Sequence, residues 1–331
     1  MNQYQPYQDP FSQIFQSIKS LYSTVGAGLF IAVIAELTVS SLLGVAIAVV
    51  GMLRPGTVFP TWITLVVGTA GVYLAGVPAA WAVMKRLPRD QRPAEGMGFG
   101  RIAALFLACI PIMYGGNILG TFLSRIFSAG KASNPLDSLL DTDIAVTVAI
   151  ACVAAPIFEE LLFRKILIDR LSGYSEKFAV LFSALCFAMF HMNFFQFFYT
   201  FGMGLIFAYV YVKTKKVAVT VTMHALLNLW GSLPGILISK YVDLDALNDI
   251  DPENISSDQI LPLILTGLYG ISMILLILAG IAFIVIEVRK LSFRDAPPLP
   301  APMMRKAVFA NAGFIAFAVA CGVMTVASLF T

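Results

Sequence analysis

The sequence predicts an all-α, polytopic transmembrane helical bundle with eight or nine membrane helices, on three observations. Of its 331 residues, 59% are hydrophobic and 12% charged, against about 45–50% and 25% in an ordinary soluble domain. Mean hydropathy is +0.84, so too little polar surface exists to wrap the apolar mass in water, and a soluble enzyme is excluded. Apolar runs of the roughly 20 residues needed to cross a bilayer recur along the whole chain.

Nine such runs stand between polar punctuation, at about 25–53, 59–84, 102–123, 144–171, 177–192, 195–212, 217–239, 260–288 and 307–330. The fifth, from Lys177 to His191, is short of a full span. Ahead of the first run, residues 1–24 read as a polar, aromatic cytoplasmic tail with no cleavable signal pattern. The stretch APPLPAPMM, from Ala296 to Met304, reads as a proline-stiffened linker to the last helix. The chain divides into this tail, accessory membrane helices over 25–139, a core over 140–235, and an acidic outer loop with carboxy-terminal helices over 236–331.

Basic residues orient the bundle. With the amino terminus inside, all but Arg54, Arg125, Lys131 and Lys240 of the 22 lysines and arginines fall on cytoplasmic segments, as the positive-inside rule requires. The loop from Tyr241 to Gln259 then lies outside. Its acids, Asp243, Asp245, Asp249, Asp251, Glu253 and Asp258, lack calcium-loop spacing and read as a solvated loop. The expected location is the plasma membrane, with the lipid bilayer as solvent. A net charge of +3 spread over short interhelical clusters excludes nucleic acid as a partner. Cys109, Cys152, Cys186 and Cys321 are widely spaced within apolar runs, which excludes a disulfide scaffold and makes them small lipid-buried residues.

Chemistry concentrates in the core. The chain has two histidines, His191 and His224, both at or inside membrane runs, where ionisable groups are costly and usually functional. The same region holds Glu159 and Glu160. Residues four apart share a helix face, so Glu160 pairs with Arg164, whereas Glu159 is turned about 100° away and stays free. His224 and Asn228 share one stripe of the seventh run, and Phe187 lies one turn before His191. Pro156 is expected to bend the fourth helix at the site. Glu36 reads as a helix-contact residue facing a polar partner.

Depth is consistent with convergence. The midpoint between Glu159 and His191 falls in the polar turn at residues 172–175, so each lies about 24 Å of helix from it, while His224 lies about 12 Å beyond Lys216. The difference closes if the hairpin of the fourth and fifth helices projects into the cytoplasm, which its charges Arg164, Lys165, Asp169, Arg170, Glu176 and Lys177 favour.

The order EExxxR (Glu159, Glu160, Arg164), FxxxH (Phe187, His191) and HxxxN (His224, Asn228) resembles the CPBP family, the CAAX prenyl endopeptidases and Abi-type bacteriocin-processing or self-immunity proteins. Asn193, Gln196, Phe197, Gly204, Tyr211 and Thr214 resemble that family's run between its histidines. The resemblance covers about residues 140–235. It implies an intramembrane endopeptidase without a cofactor, acting on a membrane-associated peptide or protein: Glu159 and His191 activate a water, His224 and Asn228 stabilise the oxyanion, and Glu160 and Arg164 support them. General acid–base chemistry and fixed donors in a dry site agree with that assignment, and the active site is expected to open to the cytoplasm.

Three other readings compete with this one. Glu159, His191 and His224 form the His₂Glu set of a catalytic zinc, but HExxH is absent and His224 matches better with Asn228. A non-catalytic self-immunity protein or membrane scaffold is disfavoured by the intact motifs. A proton-coupled transporter also buries acids and histidines, but paired interrupted segments in two halves are missing.

Overall fold

The computed structural model describes residues 10–242, 255–294 and 298–330. Its elements are α1 (Pro10–Leu53), α2 (Trp62–Ala70, Gly71–Gly76 and Val77–Met84 in one run), α3 (Phe99–Phe127), a 3₁₀ turn (Pro135–Leu139) and α4 (Ile144–Leu171). They continue with α5 (Glu176–Phe190), α6 (Phe194–Thr214), α7 (Val217–Tyr241), α8 (Ser257–Val288), α9 (Ala301–Phe309) and α10 (Ala312–Ala327). Among the described residues seven helices are long and apolar enough to cross a membrane, and eight if the α9–α10 pair, bent by 60°, makes one span. The protein is an integral membrane protein. Its outer faces confirm lipid as the solvent: α8 leaves Leu261, Leu268, Leu275 and Leu278 each about 60% exposed, tolerable only where the surroundings are also apolar.

Several boundaries differ from the sequence expectation. Helix α1 begins at Pro10, so most of the expected tail is helical, with Ile18, Leu21 and Tyr22 buried against α5 and α10. The fifth run is the 15-residue α5, too short to span. The linker APPLPAPMM is half helix, because Pro300 caps α9 and proline is tolerated in a first turn. The last run is broken at Asn311, whose Oδ1 accepts from Phe314 N and so starts a new helix, α10. The acidic loop acids Asp243 to Glu253 lie outside the described residues. The four cysteines are free and packed inside the protein rather than against lipid.

Helix α4 is built from a π-type stretch (Val148–Ala154), an α-helical turn and a half (Ala155–Glu160) and a second π-type stretch (Leu161–Ile168). The distortion expected at Pro156 is therefore taken up as wide turns on either side of the carboxylates. Helix α1 meets α2 closely enough that a Cβ on Gly71 would lie 2.7 Å from Glu36 O; glycine permits the approach, and it holds Glu36 at the inner side of the pair.

One end of the bundle is tied by ion pairs. Asp90 accepts from Arg92, from Ser172 Oγ at 2.8 Å and from Lys215 Nζ at 3.2 Å. Lys213 bridges Glu95 and Glu176 at 2.9 and 3.2 Å, and Arg294 also holds Glu176 at 2.8 Å. Burial works against ionising Asp90, but the hydrogen bonds from Arg92 and Ser172 and the charge of Lys215 outweigh it and hold the carboxyl well below its usual range. Glu176 is lowered in the same way by Arg294 and Lys213 against its burial. The charged end of the α4–α5 hairpin is thus tied to neighbouring segments by ion pairs. Arg164, Asp169, Arg170 and Glu176 are buried while Lys165 and Lys177 are exposed; Glu176 takes its countercharges from Lys213 and Arg294, Asp169 from Lys165 and Arg164 from Glu160.

Candidate active site

Helix α5 stops at Phe190 because of the next three residues. His191 closes the helix, Met192 takes a left-handed conformation (φ 53°), and Asn193 caps α6 through Oδ1 to Gln196 N at 2.9 Å. Asn193 Nδ2 donates to His191 O at 2.7 Å and to Gln196 Oε1 at 2.9 Å, and Gln196 Nε2 donates to Tyr199 OH at 3.1 Å. This web holds the His191 turn rigid inside the bundle. The ring of His191 stands edge-on to Phe187 at 4.9 Å. Its Nδ1 is 2.8 Å from Phe187 O; a carbonyl only accepts, so Nδ1 carries the proton and neutral His191 presents the Nε2 lone pair.

The two adjacent glutamates occupy different worlds. Glu160 Oε2 lies 3.1 Å from Arg164 Nε, both side chains fully buried. The contact is an ion pair off the hydrogen-bond axis, and all three guanidinium nitrogens of Arg164 are buried without a hydrogen-bond partner. Their compensation comes from aromatic faces, Phe187 at 4.5 Å and Phe207 at 5.5 Å from the guanidinium carbon. Phe187, the first residue of FxxxH, thus packs against the arginine and the histidines together. Glu159, in contrast, keeps 20% of its side chain exposed and lines a cavity of about 720 Å³.

Helix α7 brings His224 between the two carboxylates. Nδ1 is 3.1 Å from Glu160 Oε1 and Nε2 is 3.7 Å from Glu159 Oε2. Glu160 consequently has a task beyond pairing with Arg164: it orients the imidazole. Asn228 Nδ2 donates to Ala151 O at 2.8 Å, and its side chain also lines the cavity.

Glu159, His191, His224 and Asn228 thus all border one cavity, with Glu160 and Arg164 buried behind it. The walls come from more helices than α4, α5 and α7, which carry the motif residues. Glu36 of α1, Tyr73 of α2, Asn117 of α3 and Tyr199 of α6 also line it, and Glu36 Oε2 is buried with no hydrogen-bond partner. Glu36 thus faces the cavity rather than the polar helix contact expected. The sequence signal was present, a lone acid in an apolar run, but its partner surface lay on another helix. The cavity extends to Asn134, Ser138, Gly235 and Ser328, at the end of the bundle opposite the basic loops. The expected opening on the basic side is therefore not the one this geometry favours: that end is closed by the ion network around Asp90 and Glu176. Glu287, a second acid in an apolar run, pairs with Arg101 and Lys290, both at 2.8 Å, and lies away from the site. Among the described residues no three His, Cys, Asp or Glu side chains are grouped to hold a metal ion.

Residues 141–230 match the model of the family described as type II CAAX prenyl endopeptidase Rce1-like. The putative membrane peptidase YdiL of Bacillus subtilis (strain 168) is 26% identical over 165 residues, 47% of this chain and 66% of that protein's own length. No solved structure matches. The match contains every motif residue of the cavity, from Glu159 through Asn228, and through residues 141–230 this membrane protein is similar to the Rce1-like type II CAAX prenyl endopeptidases.

Proposed function

We propose that the protein is an intramembrane endopeptidase that hydrolyses a peptide bond of a membrane-associated substrate with a water activated by Glu159 and His191. The observation that carries this is the difference between two neighbouring carboxylates: Glu160 is locked by Arg164 and His224, while Glu159 stands at the cavity wall. An open carboxylate next to an imidazole with a free Nε2 lone pair is a general-base pair. Glu159 takes a proton from water, the resulting hydroxide adds to the peptide carbonyl, and the same proton passes to the departing amine.

The oxyanion needs donors fixed before charge develops. Asn228 has a second amide N–H beyond the one on Ala151. His224, oriented by Glu160 at Nδ1, presents its Nε2 edge to the cavity as the other donor. Glu160 and Arg164 act through His224 rather than on the substrate.

With the basic loops on the cytoplasmic side, the amino terminus is inside and the cavity end at Asn134 and Ser138 faces outward. A scissile bond presented from the outer part of the membrane fits this arrangement.

The test is cleavage of membrane-tethered peptides by purified protein in lipid, with and without a strong chelator. Cleavage that survives the chelator and vanishes in Glu159→Gln supports the proposal. Loss on chelation with recovery on zinc would replace it by a zinc enzyme using Glu159, His191 and His224. Undiminished cleavage by Glu159→Gln would dismiss both.

A further inference from the structure

Outside the catalytic cavity, a second pocket of about 430 Å³ opens between α2 and α4. Its walls are apolar, from Val77, Pro78 and Trp81 on one side and Phe158 and Leu161 on the other, and its rim carries Arg89, Lys165 and Arg170. The pocket lies where both spans end, near Met84 and Leu171, so its charged rim is at headgroup level and its apolar walls run into the hydrocarbon. Trp81, 46% exposed, has Lys85 Nζ 5.0 Å from its ring centroid, an anchor suited to a membrane interface.

The cations at the rim are not equally satisfied. Lys165 is neutralised by Asp169 at 3.0 Å. Arg170 is 3% exposed and donates Nε to Met84 O at 2.6 Å and Nη1 to Ile166 O at 2.5 Å. Those partners are neutral carbonyls, and its buried Nη2 has no partner. Arg89 has no hydrogen-bond or ion-pair partner among the described residues, yet stands close enough to Arg170 for the two like charges to repel. Both guanidinium groups line the mouth of the same apolar slot, and the acid nearest Arg170, Asp169, is already shared by Lys165 and the Tyr211 hydroxyl.

We propose that this pocket binds an anionic membrane lipid, its phosphate held by Arg89 and Arg170 and its acyl chain lying along Val77, Trp81 and Leu161. Charge complementarity selects the headgroup. The walls select a lipid over a soluble phosphate, which would leave them uncovered. The site also has a route to the chemistry. Tyr73 lines both this pocket and the catalytic cavity and stacks on Phe158, with ring centroids 4.5 Å apart and planes 9° from parallel. Phe158 directly precedes Glu159, so a bound acyl chain bears on the partition behind the general base.

Trp81 supplies the probe. In a variant with Trp62→Phe and Trp230→Phe, Trp81 fluorescence is measured in nanodiscs containing dibrominated phosphatidylglycerol or, at equal mole fraction, dibrominated phosphatidylcholine. A cation near an anionic lipid favours it by roughly fivefold, so quenching should report a preference for phosphatidylglycerol of about tenfold or more, dropping about fivefold in Arg89→Gln. Arg89 is exposed, so this change leaves the fold intact. The reporter Trp62 at the opposite end of α2, with Trp81 and Trp230 replaced by Phe, should show no preference. Equal quenching of Trp81 by the two lipids, the same preference at Trp62, or a preference abolished by millimolar inorganic phosphate would each overturn the proposal. None of these readouts depends on proteolysis, so the lipid site and the protease reading stand or fall separately.

Discussion

Asn228 on α7 donates its amide to the carbonyl of Ala151 on α4 at 2.8 Å, and the reason lies in Pro156. In the π-type stretch the backbone N–H groups reach back five residues, as Ala155 N does to Ile150 O. The next bond would run from residue 156 to Ala151 O, but proline has no N–H. A buried carbonyl without a donor is costly, and the asparagine supplies one. The residue proposed as an oxyanion donor is thus anchored by a backbone defect a turn before Glu159 and Glu160.

Asn228→Ala should therefore have two effects. Loss of one oxyanion donor lowers kcat by about 10² to 10³ with KM little changed, and the orphaned carbonyl costs about 1–3 kcal/mol of stability. Steady-state cleavage together with thermal melting in detergent checks both. A weakened KM at unchanged kcat would make Asn228 a substrate-binding residue.

Glu159→Gln and His191→Ala should each remove cleavage by about 10² to 10⁴-fold, the usual reach of general-base catalysis, while the protein remains inserted and folded. Glu159 is cavity-facing and carries no ion pair to a lysine or arginine among the described residues, so its amide is accommodated. Circular dichroism and size-exclusion profiles should match those of the unaltered chain.

Glu160 and Arg164 should behave in the opposite way. Removing either partner strands the other in a fully buried place, a loss of roughly 3–5 kcal/mol. Glu160→Ala and Arg164→Ala should lower Tm in detergent, and the double variant Glu160→Gln with Arg164→Met should recover part of the loss by leaving no orphan charge. It should not recover activity, because His224 loses its orienting carboxylate. A Tm for Glu159→Gln below all three would reverse the division of roles.

Asp90 provides a pH test. Its carboxyl is held below the ordinary value in the folded protein, so its contribution is fully present above the unfolded pKa of about 3.9 and is lost as pH falls toward the lower folded value. The Tm difference between the unaltered chain and Asp90→Asn should be full at pH 7 and shrink below about pH 4. A difference independent of pH would mean that Asp90 acts through packing.

Topology is checked by single cysteines in a chain lacking Cys109, Cys152, Cys186 and Cys321. Ser138→Cys, at the cavity end, should react with an impermeant reagent added outside intact cells, and Lys216→Cys only after permeabilisation. The reverse pattern would turn the cavity toward the cytoplasm.

Local physics made much of this legible in the chain itself. An apolar run of 20 residues is a span wherever it sits, and four-residue spacing puts Glu160 with Arg164 and His224 with Asn228 on shared faces, because helix periodicity is a property of the backbone. Helix ends were harder: the length of α5 depends on the capping by Asn193 and the left-handed Met192, and the start of α1 on burial against α5 and α10. What brings His224 between Glu159 and Glu160, turns Glu36 and Tyr73 into the cavity, and buries Arg170 beneath loop charges is contact between elements far apart in sequence. Such contacts are chosen by packing and by the need to satisfy every buried polar group at once, and neither leaves a periodic mark on the chain. The side on which the cavity opens belongs to that second class: the basic loops could be counted residue by residue, but their closure around Asp90 and Glu176 exists only in the folded bundle.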